Sequence, residues 1–511
     1  MSVTVGATRA DRKLVLVMID SLQAEMLQKS VEIGAAPTLG RLIERGTLVS
    51  DCVSSFPSVT PVACAEMVTG ERSDVHGIPG MNWYHRAEHR YVEYGSSWEA
   101  TRAFGLFRTL YDTVYNMNLA HLSPRVKTLF ERLGDAGLRT ACTPFLIYRG
   151  RRRHELGLEG LLRRAATAAK FHHAVWGPDE LFYGELYASR RTPCKPTLGR
   201  PGTRDAYTAC VSRELVEADA YDFLLFSLPD NDFHTHAGGP AAMPNALRGA
   251  DTALKSLIDA VGGFDAFLTT HAVIVIGDHS QTAVSEELPL AEVLAEDWQV
   301  LGPMPEPGSS PQLAVSPTAR AAGIYVIDDG RSRRSTHATV AAQAEAIGGV
   351  ELTARLLEAD GEPTQPGAAG PRTEAVVRVQ GSELRFAPGS QQADLRGGHW
   401  DIDGDLGALG LSWRDGRVIS EQYPDALGRV WSALAGPHSP DIVVSAAEGQ
   451  EFVDWGGATH VPGGSHGGLG AGDSLSALLT VGLESTIEHE QWAIRDATNL
   501  VLEHFGLAEA A

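Results

Sequence analysis

The sequence predicts an α/β fold, a mostly parallel central sheet with helices on both faces, on three observations. Leu14-Val-Leu-Val-Met-Ile19 is an unbroken aliphatic and β-branched run, the pattern of a parallel strand buried on both sides. Two further runs, Phe223–Leu228 and Ala272–Ile276, have the same character, and each is followed within two residues by an aspartate. Helical segments alternate with these strands: Pro37–Arg45 is closed by Gly46 and Thr60–Val68 by Gly70, with the strand Thr47–Val53 between them. Such alternation gives a parallel sheet covered by helices. Sheets of this class bind ligands at the carboxyl ends of their strands, so the residues just after each strand are the first functional candidates.

The chain has 511 residues, 43% hydrophobic and 21% charged, the balance of a globular protein with a large core. Residues 1–81, 204–285 and 441–511 read as three parts of one core. Between them, 82–203 reads as a lid insertion with a helix at Ser123–Ala136, a strand at Thr140–Tyr148 and the basic run Arg149-Gly-Arg-Arg-Arg153. Residues 286–440, rich in Pro and Gly with a hairpin over Val377–Phe386, read as a small α+β appendage.

Lys+Arg 43 against Asp+Glu 64 leaves a net charge of −21, which repels a nucleic-acid duplex. The five cysteines are few, odd in number and never spaced Cys-x-x-Cys, which excludes a disulfide scaffold or zinc knuckle. No apolar run approaches the ~18 residues of a membrane helix, and no signal-peptide pattern is found. The expectation is a cytoplasmic protein that engages no membrane.

Metal-type ligands recur just beyond strands or in a glycine-rich loop. Asp20 ends the first strand. Asp230 and His234 stand i, i+4 apart in Leu-Pro-Asp230-Asn-Asp-Phe-His234, Asp278-His279 follow a third strand, and His466 lies in Gly463-Gly-Ser-His466-Gly-Gly. Each alone is a helix cap or a core histidine as readily as a ligand; their joint occurrence at strand ends is what points to a site. In Phe56-Pro-Ser-Val-Thr60-Pro61 the hydroxyl precedes a helix, an N-cap position that also offers a positive helix end to an anion.

In this order, Asp after the first strand, Phe-Pro-x-x-Thr, Val-Thr-Gly, His-Gly-Ile, Pro-Asp-x-x-x-His, Asp-His and a late Gly-Ser-His-Gly, the sequence resembles the alkaline phosphatase superfamily. Within it, the nucleotide pyrophosphatase/phosphodiesterase branch is the nearest likeness. The resemblance implies an alkaline-phosphatase-like fold and two zinc ions, one held by Asp230, His234 and His466, the other by Asp20, Asp278, His279 and the Thr60 oxygen. It implies attack by Thr60 on a small phosphate-ester substrate through a phosphothreonine, with Asn82, one residue from the family's phosphate-binding asparagine, supporting a phosphate oxygen. Where the family's diesterases often read Thr-Phe-Pro-Asn-His, this chain reads Thr60-Pro-Val-Ala-Cys64, without the Phe that helps to stack a nucleobase.

Charge favours a diester or pyrophosphate linkage. Three aspartates and an ionised Thr60 balance two divalent cations, and no Lys or Arg occurs in Phe56–Gly70, Leu228–Gly238, Val275–Thr282 or Gly463–Gly470. A phosphomonoesterase or phosphonate hydrolase of the same superfamily is the alternative, with Arg149–Arg153 the source of an added cation. From other classes, Gly463-Gly-Ser465-His-Gly467 fits a serine-hydrolase elbow, although the stretch before it reads as loop, and a non-catalytic phospho-ligand binder would keep the metals without turnover.

Overall fold

The computed structural model describes residues 12–157, 171, 173–183, 186–195, 197, 200, 202–304, 308–327, 333–358 and 372–507. Its central sheet has eight strands in the order Thr47–Val53, Leu475–Val481, His271–Ile276, Lys13–Ile19, Phe223–Leu228, Thr140–Cys142, Glu180–Tyr183 and Tyr187–Ala188. Lys13–Ile19 lies at the middle, parallel to both neighbours, with Val17 opposite Phe226 on one side and Val275 on the other. Alternate residues of this strand feed two cores. Leu14, Leu16 and Met18 pack with Val62 and Val68 of the helix Thr60–Thr69. Val15, Val17 and Ile19 pack with Leu247 and Leu254 of the helix Met243–Ala260. Burial on both faces is why these strands carry no polar alternation.

The expected α/β class therefore stands, with two antiparallel strands: Leu475–Val481, which pairs antiparallel with His271–Ile276 and with Thr47–Val53, and Tyr187–Ala188 at the edge beside Glu180–Tyr183. The helix expected over Ser123–Ala136 is shorter, Leu129–Asp135, because Thr128 and Glu131 form a reciprocal capping box that fixes its start. The strand expected over Thr140–Tyr148 ends at Cys142, two residues before Pro144, which has no N–H for a ladder.

Strand pairing crosses the boundaries read from composition. Thr140–Cys142 and Glu180–Tyr183, inside 82–203, extend the central sheet. A second sheet of nine strands gathers most of 313–420 and also takes Ile442–Ala446 between Ala321–Val326 and Val350–Glu358. A third, three-stranded sheet joins Gly449–Phe452, Thr282–Leu288 and Gly463–Ser465, bringing the late glycine-rich loop against the segment that follows Asp278-His279.

Cys194 and Cys210 form a disulfide, which the cysteine spacing did not foresee. Such bonds persist chiefly in oxidising compartments, so this one weighs against the cytoplasmic expectation. Among the described residues, no helix is long and apolar enough to cross a membrane.

Candidate active site

The carboxyl ends of two adjacent central strands, Lys13–Ile19 and His271–Ile276, bring Asp20, Asp278 and His279 together, all buried. Asp20 follows Lys13–Ile19 directly, and its N–H donates to Leu228 O at 3.1 Å, locking two strand ends side by side. Asp278 Oδ1 accepts from Ser21 N at 3.0 Å and His279 N at 2.9 Å. The outward oxygens, Asp20 Oδ1 and Asp278 Oδ2, have no hydrogen-bond partner and stand 3.7 and 3.4 Å from His279 Nε2. Burial first, then the charges of Asp278 and Asp232, push Asp20 well above the usual carboxylate range. Crowded, buried and unpartnered carboxylate oxygens are costly unless a cation meets them.

Thr60 opens the helix Thr60–Thr69, and its Oγ1 lies 3.4 Å from the same His279 Nε2. The cap position belongs to Val59 and no side chain caps this end, so the hydroxyl expected to serve as an N-cap is turned to His279 instead. Ser58 ties the loop to the glycine-rich segment: its Oγ donates to Gly468 O at 3.0 Å and accepts from Gly467 N at 3.2 Å.

The second cluster corrects the sequence reading by two residues. Asp230–Gly238 is a helix, and Asp230 and His234 share one side of it while Asp232 and His236, equally spaced, lie about 200° around. Asp230 faces away from the site: Oδ1 accepts from Gly202 N and Arg204 Nε, both at 2.9 Å, and Oδ2 from Asp205 N at 3.0 Å, anchoring the helix Arg204–Glu217. His234 is exposed beside Gly202. Asp232 and His236 take the inner places, with His236 Nε2 3.2 Å from Asp232 Oδ2 and His466 Nε2 3.9 Å from Asp232 Oδ1. The i, i+4 signal was present for both pairs; only the packing of the helix chooses between them.

All three imidazoles have Nδ1 against a backbone carbonyl: His236 on Gly464 O at 2.7 Å, His466 on Ser58 O at 2.8 Å and His279 on Ser280 O at 3.2 Å. With Nδ1–H donating to a carbonyl, Nε2 is the nitrogen turned to the cluster, the orientation that metal-ligating histidines take. His279 and His466 stack with centroids 3.7 Å apart. Burial, then His279, holds His466 well below the usual imidazole range and so neutral. Burial alone would raise Asp232, but the charge of His236 and its bond to the carboxylate outweigh it and hold Asp232 well below the usual carboxylate range. Two donor groups fit divalent cations: Asp20, Asp278 and His279, and Asp232, His279 and His466, with His236 beside the latter.

Asn82 is not brought to Thr60. Its buried amide donates to Pro317 O and to Asp454 Oδ1, the latter at 3.4 Å. Ser465 is buried and donates to Glu451 Oε1 at 2.7 Å, while His460 Nδ1 bonds the same oxygen at 2.6 Å. A serine nucleophile needs the imidazole between hydroxyl and carboxylate, and here the carboxylate lies between them.

A model of the family described as type I phosphodiesterase / nucleotide pyrophosphatase matches residues 14–347. No curated protein matches the chain in sequence. Among solved structures, murine ectonucleotide pyrophosphatase / phosphodiesterase 5 is similar at 13% identity and a TM-score of 0.57, over 98% of this chain and 96% of that one. The human protein of the same name gives 12% and 0.56, again over 98% and 96%. Phosphonoacetate hydrolase from Sinorhizobium meliloti, solved with phosphonoformate, gives 17% and 0.52 over 99% of both chains. At these identities the likeness is one of fold.

Proposed function

The chain belongs to the type I phosphodiesterase / nucleotide pyrophosphatase family, and on that premise we propose that Thr60 is the nucleophile in its hydrolysis of phosphodiesters or pyrophosphate linkages. The protein is a phosphoric ester hydrolase of the alkaline phosphatase superfamily. Asp20, Thr60, Asp278 and His279 would hold one divalent cation, and Asp232, His236 and His466 the other. Mixed imidazole and carboxylate donors favour zinc over magnesium or calcium. Bound there, the cations supply charge that favours an ionised hydroxyl and offsets negative charge developing on the ester oxygens.

Thr60 Oγ1 attacks phosphorus in line, the bond to one ester oxygen breaks and that oxygen departs, and the phosphoryl group, still carrying its other substituent, rests on Thr60 until water releases it as a monoester. The ten-residue helix that Thr60 opens turns its positive end toward the same point. The observation that carries this reading is convergence: the Thr60 hydroxyl and two unpartnered, buried carboxylate oxygens all lie within 3.7 Å of His279 Nε2.

The basic run of 149–153 supports a diester. Arg149 pairs with Glu131 at 3.1 Å, Arg151 with Glu131 and Asp135 at 2.9 and 2.8 Å, Arg152 with Asp179 at 3.6 Å, and Arg153 with Glu155. Each of these guanidiniums is already paired with a carboxylate, Arg149 and Arg151 sharing Glu131, so this run holds out no unpaired guanidinium for the second charge of a monoester. Thr60→Ala tests the nucleophile. With no capping bond to lose, it should shift stability by less than about 1 kcal/mol, while kcat falls by at least ~10³, about 4 kcal/mol. Thr60→Ser should keep part of the activity, and acid-quenched turnover of the parent on a diester should leave the phosphoryl group with its remaining ester substituent on the Thr60 peptide by mass spectrometry. A folded Thr60→Ala protein of near-parental kcat overturns the covalent step.

A further inference from the structure

Ser21 reaches both clusters at once. It follows Asp20 in the left-handed region, with φ of 60°, a conformation that a non-glycine residue adopts at a cost. Held so, its N–H donates to Asp278 Oδ1 at 3.0 Å while its Oγ donates to Asp232 Oδ1 at 2.6 Å. Gln281, also buried, completes the bridge from the other side. Its Nε2 donates to Asp232 Oδ1 at 2.6 Å and to Ser21 Oγ at 3.1 Å. The orientation of the amide follows from chemistry: an ionised carboxylate only accepts, so the NH₂ end must face it.

The other end of that amide is packed against backbone. A Cβ built on Gly464 would stand 2.4 Å from Gln281 Oε1 and 2.7 Å from Thr235 O, so only glycine fits there. Gly464 also supplies the carbonyl that orients His236, and lies two residues before His466. Gln281 Oε1 has no hydrogen-bond partner although buried, an unmet acceptor that costs free energy. The amide is thus wedged among the elements that carry Asp232, His236 and His466.

We propose that Gln281, acting with Ser21, is a positioning residue that fixes Asp232 as a cation ligand and ties the two cation subsites together. Two donors on Oδ1 pin the carboxylate while Oδ2 remains turned to His236 Nε2. The proposal rests on the reading of the site as two cation subsites. The test is zinc binding by the purified full chain, stripped of metal and titrated against a chromophoric chelator. The parent should bind two equivalents, and Asp232→Asn identifies the one that belongs to the Asp232 subsite.

Gln281→Met keeps the volume and removes the donor; it should weaken that equivalent by about 10–100-fold and leave the other unchanged. Ser21→Gly keeps the left-handed backbone and the N–H to Asp278 but lacks the hydroxyl, which also lies 3.3 Å from His279 Nδ1, and should weaken the Asp232 equivalent more than the other. Selective loss with an unchanged melting temperature of the metal-free protein supports positioning. Parental affinity for both equivalents in Gln281→Met, or equal weakening of both with a lowered metal-free melting temperature, overturns it. A parent chain that takes up no zinc overturns the cation site itself, which separates that failure from failure of the positioning role.

Discussion

Two overlapping Asp-x-x-x-His pairs in one helix allow a paired perturbation that the structure makes unequal. Asp232→Asn removes a charge ringed by His236, His466 and His279 and withdraws an acceptor from Ser21 and Gln281. Asp230→Asn acts on the opposite face, where the carboxylate accepts from Arg204, Gly202 and Asp205. An amide keeps one acceptor there and sets an N–H against a donor, costing about 1–3 kcal/mol of stability. His234→Ala removes an exposed ring and should cost no more than about 0.5 kcal/mol. The assay is kcat/KM on bis(p-nitrophenyl) phosphate with zinc present, alongside thermal melting. Asp232→Asn and His236→Ala should each lose at least ~10³ in kcat/KM, about 4 kcal/mol of transition-state stabilisation. Asp230→Asn should stay within about threefold per active molecule while melting earlier, and His234→Ala should resemble the parent. Large activity losses in Asp230→Asn and His234→Ala, with Asp232→Asn and His236→Ala active, would refute the assignment.

Prolonged chelation should abolish turnover and zinc restore it, with calcium ineffective because its preferred shell is all oxygen; full activity in protein shown by elemental analysis to be metal-free refutes both cation subsites. An aryl phosphodiester should show a higher kcat/KM than the matching monoester, and a tenfold monoester advantage, about 1.4 kcal/mol, would reverse that preference. A pH effect is expected from a buried acid pair outside the site. Burial, then Asp454, pushes Glu93 up to about 8, and burial pushes Asp454 up to about 7. For acids raised above their unfolded values the favourable contribution is present below pH ~4 and is lost as pH rises through about 7–8. Glu93→Gln, which still accepts from Gly95 N and Ser96 N, should therefore lose less melting temperature than the parent between pH 5 and pH 8; equal slopes by calorimetry would refute it.

The central sheet was legible because its strands are buried on both faces and must be written as unbroken apolar runs, and because their carboxyl ends carry the acids. Asp20, Thr60, Asp278, His279 and His466 could be singled out for the same reason. The cluster's remaining two places could not be, since Asp230/His234 and Asp232/His236 have one spacing and differ only in which helix face meets the sheet. Ser21 and Gln281 carry no motif, and Ser21 is 211 residues from Asp232 and 260 from Gln281 in sequence, while Gln281 is 49 from Asp232. Asn82 opens the strand Asn82–His85 and its amide meets Pro317 O and Asp454 Oδ1; successive strand residues alternate faces, so a motif offset of one residue leaves the direction of such a side chain unread in the sequence.

The region expected as an appendage turns out to brace the site. Arg320 is buried; its N–H donates to His466 O at 2.7 Å, and its guanidinium meets Asp473 Oδ1 at 2.6 Å and Ala447 O at 3.0 Å. Asp473 in turn accepts Ser280 N through its carbonyl at 2.9 Å and Gly468 N through Oδ2 at 2.7 Å. One ion pair thereby joins the loop of His466 to the loop of Asp278 and His279. Arg429 does the same for the segment before Thr60: it donates to Ser55 O at 2.8 Å, to Leu469 O at 2.9 Å and to Ser474 Oγ at 2.5 Å, and burial lowers it to about 10. Buried guanidiniums are expensive to desolvate and are repaid only by full sets of acceptors. Both arginines have such sets, and both sets lie in loops that carry ligands or Thr60. Residues 286–440 are therefore part of the frame that holds the two clusters in register, which a reading by composition, seeing only Pro, Gly and short hairpins, had no means to show.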